Sequence, residues 1–179
     1  MKKINTLIYI IGILIILLTT LLISIAADST ERPFNQIELS ENNQIVNNTA
    51  ISFLDTIASV GLDAAGITGV HLEIYPLTDE AKDNFSGGEL NAHIRYHNGI
   101  YYMFISEMSR QKSITVVSHE IVHINQYETG ILDYFGGRDI LWNGELISLD
   151  NVDYENRPWE MDAYSKETEI STKVSGILY

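Results

Sequence analysis

The sequence predicts an α+β domain that follows one N-terminal transmembrane helix. Three observations support this prediction: an almost wholly apolar segment near the N-terminus, two Asn-Gly pairs between short alternating segments, and two long stretches with helical periodicity. We therefore expect an anchor or signal over residues 1–27, a polar tether over residues 28–40 and one domain over residues 41–179. A domain of about 140 residues is large enough to bury a hydrophobic core of its own.

The apolar segment runs from Leu7 to Ala27 and follows Lys2 and Lys3. As a helix rising about 1.5 Å per residue, it would cross a hydrocarbon core of about 30 Å. The apolar region of a signal peptide is shorter, at about 7–15 residues, so the length favours an uncleaved anchor. The small residues that end the segment keep cleavage and secretion as an alternative. Because the lysines precede the span, we expect the N-terminus in the cytoplasm and the domain outside the cell membrane.

Net charge and cysteine content exclude several classes of partner and site. Without Lys2 and Lys3, the 11 Lys+Arg become 9 against 24 Asp+Glu, so residues 28–179 carry a formal charge of about −15. Such a domain repels nucleic acid and anionic lipid. We expect no nucleic-acid partner, and contact with the membrane only through the N-terminal helix. The chain has no cysteine, which excludes disulfides and thiolate metal ligands.

The first half of the domain predicts a helix followed by strands. Residues 41–60 place apolar side chains at helical spacing, Val70–Tyr75 alternates as a strand does, and residues 77–90 are polar and predicted as a loop. Ala92–His97 and Ile100–Ile105 then flank an Asn-Gly pair, which is typical of a two-residue hairpin turn.

A long helix is predicted next, over Ser113–Glu128. Its core stripe is formed at three- and four-residue spacing by Ile114, Val117, Ile121 and Ile124. His119, His123 and Gln126 fall on a neighbouring face, and Gly130 suits the position just after the helix end. The helix can therefore pack by one side and line a site with the other.

The residues His119-Glu120-Ile121-Val122-His123 form an H-E-x-x-H motif within this helix. Histidines four residues apart lie one above the other on a helix and can bind one zinc ion. Glu120 can reach a water on that metal and accept its proton. The motif thus indicates a metal-assisted hydrolase, with His119 and His123 as ligands and Glu120 as general base.

A third ligand is expected from the C-terminal part of the chain. After a second predicted hairpin over residues 139–149, Pro158 suits the first turn of a helix that is predicted to reach Val174. Glu160 lies at the edge of the apolar stripe of this helix, beside the small residue Ala163, and is the preferred ligand. The other candidates are Asp162 and Asp139.

These residues carry a resemblance to the gluzincin branch of zinc metallopeptidases, in which H-E-x-x-H precedes E-x-x-A on a later helix. The matching residues are His119, Glu120, His123, Glu160 and Ala163. With Gln126 after the second histidine, the chain is also similar to small bacterial H-E-x-x-H domains such as the metallopeptidase-like family DUF4157. The resemblance implies a zincin-like fold, zinc as cofactor and hydrolysis of peptide bonds. It also implies that the strand before the metal helix offers its edge to an extended substrate. The gluzincin pattern often has an aspartate where this chain has Tyr164.

The sequence thus predicts a membrane-anchored zinc peptidase acting on peptides or proteins. The alternatives are a zinc-stabilised, non-catalytic binding module at the cell surface and a metal-free surface protein; the acid beside His119 favours the enzyme. Several further polar residues are open to either a site role or a structural role: His71, His93, His97, Tyr154, Arg157 and Tyr164.

Overall fold

A mixed four-stranded sheet, in the order β1-β2-β4-β3, underlies the site. The computed structural model describes residues 42–83, 90–136 and 138–179. Strands β1 (Gln44–Asn47), β2 (His71–Pro76) and β4 (Ile100–Ile105) run parallel, and β3 (Ala92–His97) runs antiparallel to β4. β4 is therefore paired on both sides, and β3 is an edge strand.

The predicted β3–β4 hairpin is confirmed, together with the turn between its strands. Asn98 and Gly99 have φ values of 51° and 82°, the left-handed conformation that a two-residue hairpin turn requires. Alternate residues of β4 face the core because successive side chains of a strand point to opposite faces. These core residues are Tyr101, Met103 and Ile105.

Three long helices complete the domain around one face of the sheet. Helices α1 (Leu54–Ala64) and α3 (Arg110–Glu128) pack against the strands, and α4 (Pro158–Leu178) packs on both of them; α2 (Asp79–Asp83) is short. Gly61 lets α1 approach α3 closely, since a Cβ there would overlap the side chain of Ile121. The described elements form an α+β domain, as the sequence predicts.

A second, three-stranded sheet joins α3 to α4. Its strands are β5 (Leu132–Gly136), β6 (Asp139–Trp142) and β7 (Glu145–Ser148), all antiparallel. The predicted second hairpin is confirmed as β6–β7, with φ of 51° at Asn143 and 83° at Gly144. β5 is not predicted by the sequence. The sheet shares a small core with the start of α4: Leu132, Ile140 and Trp159, flanked by Tyr127, Trp142, Ile147 and Leu149.

The helix predicted over residues 41–60 is wrong in its first half. Gln44–Asn47 is strand β1, and the helix begins at Leu54 and continues to Ala64. The side chain of Asn47 builds a turn instead, because its Oδ1 accepts the backbone N–H of Thr49 and its amide donates to the carbonyl of Ile51. Such side-chain bonds compete with helix formation.

Two smaller corrections concern the segment around the first hairpin. Residues 77–90, predicted as a loop, contain the short helix α2. The strand directly before the metal-site helix is the internal strand β4, so the free edge expected there belongs to β3 instead. The predicted anchor and tether, residues 1–40, lie outside the described residues. Within the described ranges, no helix combines the length and apolar character needed to cross a membrane.

Candidate metal centre

Helix α3 presents both histidines of the motif from a buried position. Ser109 caps its first turn, where the side chain accepts the backbone N–H of Lys112. The predicted core stripe is fully buried, and His119, Glu120 and His123 are also buried, on the side that faces α4. The predicted end is confirmed, because Gly130 follows the helix with φ of 70°.

Helix α4 brings Glu160 to the two histidines. Trp159 is anchored in the small core of the second sheet, which fixes the first turn of α4 next to α3. Ala163, one turn further, is fully buried, as a close approach of the two helices requires. Glu160 is buried between these positions, and we find it where the sequence predicts a third ligand.

The three side chains form a group that could hold a metal ion. Glu160 Oε2 lies 3.2 Å from His119 Nε2 and 3.5 Å from His123 Nε2. Ligand atoms of the three residues all lie within 4.8 Å of one another. In a tetrahedral zinc site with bonds of about 2.0–2.1 Å, neighbouring ligand atoms lie about 3.3 Å apart. The donor set could therefore hold a metal ion, and the two distances from Glu160 are close to those expected in a zinc site.

Hydrogen bonds at the opposite ring nitrogens orient both imidazoles. His119 Nδ1 donates to Glu167 Oε2 at 2.9 Å, and His123 Nδ1 donates to Gln126 Oε1 at 2.8 Å. The amide of Gln126 in turn donates to Asp162 Oδ2 at 2.9 Å. With each Nδ1 occupied in this way, each Nε2 is directed at Glu160. This arrangement is the usual outer support of a metal-binding histidine.

The charges around the rings favour a cation. Burial lowers the pKa of His123, but the hydrogen bond to Glu160 and the charge of Glu120 outweigh burial and raise the pKa to about 9. Burial opposes ionisation of Glu160 too, yet its contacts with both histidines hold its pKa well below the usual range. Glu120, Glu160 and Glu167 thus place three carboxylates beside two imidazoles. Two protonated imidazoles would balance two of these negative charges. A single divalent cation bound between neutral imidazoles would supply the same two positive charges.

Glu120 differs from the other acids of the site because its side chain is buried, yet its Oε2 has no hydrogen-bond partner among the described residues. Burial raises the pKa of its carboxyl group, and the charges of His123 and His119 partly offset this effect. Glu120 and His119 line a cavity of about 290 Å³. A small molecule in this cavity would therefore meet an unpartnered carboxyl group next to the three candidate ligands.

Two tyrosines complete the site. The hydroxyl of Tyr154 donates to Glu160 Oε2 at 2.8 Å, and burial raises the pKa of Tyr154, which keeps this donor protonated. The ring of Tyr164 lies 4.6 Å from that of His119, centroid to centroid. Both tyrosines line the cavity. Tyr164 occupies the position at which the gluzincin pattern often has an aspartate that orients a histidine. In this chain its ring packs against His119 instead.

The acid that orients His119 in this structure is Glu167, which the sequence analysis does not predict. It lies seven residues after Glu160, which is two helical turns along the same face of α4. That spacing is the signal that could have identified it.

The remaining candidates lie outside the group. Asp162 supports Gln126 and pairs with Lys166, and Asp139 begins strand β6 of the second sheet. Arg157 lies over the ring of Tyr154, with 5.0 Å between its Cζ and the ring centroid. The other three histidines lie on the sheet, away from the group: His71, His93 and His97.

No protein-family model matches this chain, and the comparison with curated proteins gives no match either. The likeness to the gluzincin pattern therefore rests on the residues of the site: His119, Glu120, His123, Glu160 and Ala163.

Proposed function

We propose that this chain is a zinc-dependent peptidase in which His119, His123 and Glu160 hold the metal and Glu120 is the general base. The observation that carries the proposal is the buried Oε2 of Glu120, which has no hydrogen-bond partner among the described residues; Glu120 lines a cavity beside the three proposed ligands. A purely structural zinc site is closed by four protein ligands and has no use for such an acid. A hydrolytic site needs an open position and a nearby base.

The chain's own residues supply the proton transfers of the reaction. When bound, zinc supplies Lewis acidity that makes a water easier to deprotonate and polarises the peptide carbonyl. Glu120 accepts one proton as the water oxygen bonds to the carbonyl carbon. It passes that proton to the leaving nitrogen as the C–N bond breaks, so that the products are a carboxylic acid and an amine. The remaining water proton, on the new carboxyl group, then moves to the amine, which leaves a carboxylate and an ammonium group. Tyr154 meanwhile holds the carboxylate of Glu160 in place.

The substitution Glu120→Gln tests this mechanism because it preserves size and removes the base. Hydrolysis of a mixed peptide library, read by mass spectrometry with a chelator control, should fall by about 10²–10⁴-fold. Zinc content should stay near wild type, since the ligands are untouched. Glu145→Gln, an exposed change of the same kind on β7, is the matched control and should keep full activity. Chelator-sensitive activity that persists in Glu120→Gln would refute the mechanism.

The non-catalytic binding module remains the competing proposal, and the same experiment separates the two. If the wild-type chain cleaves no peptide, yet unfolds when zinc is removed and behaves identically as Glu120→Gln, then zinc stabilises a binding module. If the chain takes up no zinc at all, both proposals fail.

We also propose that the Leu7–Ala27 segment anchors the enzyme in the cell membrane with the domain outside. The support is the length of the apolar segment and the two lysines before it. A reporter fused after Tyr179 should be active only on the non-cytoplasmic side, and the protein should stay with membranes after a high-salt wash. A mature form that begins near Asp28 would show that the segment is a cleaved signal instead.

A further inference from the structure

The cavity beside Glu120 is lined by two groups of residues with different chemistry. The beginning of β3 and the first half of α3 contribute uncharged side chains: Leu90, Asn91, Ala92, Thr115 and Val116. The 3-10 turn before α4 and α4 itself contribute acids and tyrosines: Tyr154, Glu155, Tyr164 and Glu167. Among the described residues that line the cavity, none is lysine or arginine.

The charge of this cavity stays negative with a divalent cation in place. Glu155, Glu160 and Glu167 contribute three negative charges at or beside the cavity, and a divalent ion with neutral imidazoles offsets two of them. Glu155 is exposed and lines the cavity. Tyr164 is 54% exposed and also lines the cavity. Carboxylates and aromatic rings together are the groups that recognise organic cations.

We propose that this cavity binds a positively charged group of a peptide next to the scissile bond, and that Glu155 is the residue that selects it. The inference rests on the proposed peptidase function. A second observation points to a ligand at the same place: Glu120 Oε2 is buried, unpartnered and lines the same cavity. The volume of about 290 Å³ is at the lower limit for ligand sites and fits one side chain or one chain terminus.

The test uses the full chain loaded with zinc and a set of acetylated peptides that differ at one central position, occupied by Lys, Gln or Glu. We expect the Lys peptide to be cleaved at least about fivefold faster than the Gln peptide, and the Glu peptide to be cleaved slowest. The preference should weaken as salt is added, because exposed charges are screened. A fourth peptide, with a free amino terminus and no Lys, shows whether a terminal ammonium group serves as well as a side chain.

Substitution of Glu155 assigns the preference to this residue. Glu155→Lys should reverse it, so that the Glu peptide is cleaved faster than the Lys peptide. Glu145→Lys, which changes the same charge on the exposed strand β7, should retain it. An unchanged preference in Glu155→Lys, or equal cleavage of all peptides by the wild-type chain, would overturn the proposal while leaving the peptidase function intact.

Binding to the Glu120→Gln variant separates this proposal from the proposed activity. Fluorescence anisotropy of labelled Lys, Gln and Glu peptides should show the same order of affinity as the order of cleavage. If no peptide is cleaved by the wild-type chain but the Lys peptide still binds most tightly, the cationic site stands and the peptidase function fails. If neither binding nor cleavage depends on charge, the cationic site does not exist.

Discussion

Histidines occur in two environments in this domain, and the comparison shows what makes a site. His123, on α3, is buried, yet both ring nitrogens have partners and its pKa is raised to about 9. His93, on the outer face of the sheet, is half-buried against Phe104, and in the described part of the chain neither ring nitrogen has a hydrogen-bond partner. Burial, together with the charge of Arg95, lowers the pKa of His93 to about 4.

Burial thus opposes the charged form of both side chains, and the neighbouring groups decide the outcome. Around His123, Glu160 and Glu120 supply negative charge, so a proton or a cation is held there. Around His93, an aromatic ring and an arginine offer no such compensation. A histidine becomes a candidate ligand through its carboxylate and amide partners, and burial alone favours its neutral form.

The largest expected effect is the loss of metal from the α3 site. His123→Ala removes one of the three proposed ligands, so the zinc content of the full chain should fall from about one ion per chain to almost none. His93→Ala should keep its zinc because the ring lies on the sheet, away from Glu160. Elemental analysis after dialysis against zinc-containing buffer measures both. Equal zinc loss in the two variants would contradict the distinction between these environments.

The next largest effect is the loss of zinc affinity when the proposed third ligand, Glu160, is substituted instead of a neighbouring acid. Glu160→Ala should weaken zinc binding far more than Asp162→Ala, because the carboxylate of Asp162 contacts Gln126 and Lys166 and lies outside the three-residue group. Asp139→Ala, in the second sheet, should have no effect. Competition with a chromophoric chelator gives the three affinities. If Asp139→Ala has the largest effect, the resemblance to the gluzincin pattern does not extend to the third ligand, even if the chain binds zinc.

A smaller effect is expected for the group that orients His119. Glu167→Ala removes the acceptor of its Nδ1–H, and removal of such a partner typically weakens metal binding by about 10–100-fold. Glu169→Ala, on the same helix, removes an exposed acid that pairs with Lys173 and should leave the affinity unchanged. The same chelator competition measures both variants. Equal affinities would mean that Tyr164 and the helix packing suffice to orient His119.

The sequence predicts the two site helices and both hairpins because their signals are local. Asn98-Gly99 and Asn143-Gly144 define their turns without reference to the rest of the chain. The helical spacing of the α3 stripe likewise depends only on neighbouring residues. His119, His123 and Glu160 come together because both helices present them from buried faces that must pack on each other.

Strand β1 and Glu167 escape sequence reasoning for a different reason. Gln44–Asn47 becomes a strand through parallel pairing with β2, in which Gln44 lies opposite His71, and a contact so distant in sequence leaves no local pattern. Glu167 is one of several acids on α4, and the gluzincin pattern gives no reason to prefer it. Its role becomes visible only when Nδ1 of His119 is found beside it.

The smallest expected effect concerns His93 and the stability of the fold in acid. Its pKa is about 4 in the folded domain and 6.5 as the ordinary value, so the unfolded chain takes up a proton first as the pH falls. The free energy of unfolding should therefore decrease between about pH 6.5 and about pH 4 and change no further through this group below that. Because the side chain is partly open to solvent, we expect about 1–2 kcal/mol. His93→Phe keeps a ring that can stack on Phe104 but removes the titrating imidazole. Urea unfolding of this variant should therefore not show the decrease of about 1–2 kcal/mol between these pH values.

The quantity to measure is the difference in the free energy of unfolding between wild type and His93→Phe at each pH. Acid also protonates the proposed ligands of the α3 site, but this happens in both proteins, so the contribution cancels in the difference. The control is His97→Phe at an exposed position of the same strand, which should follow the wild-type pH dependence. A wild-type chain and a His93→Phe variant that lose stability in parallel would show that His93 accepts its proton at the ordinary pKa. The sheet face would then be open enough to hydrate a charged imidazole, and the contrast with the buried, partnered histidines of α3 would reduce to a difference in exposure.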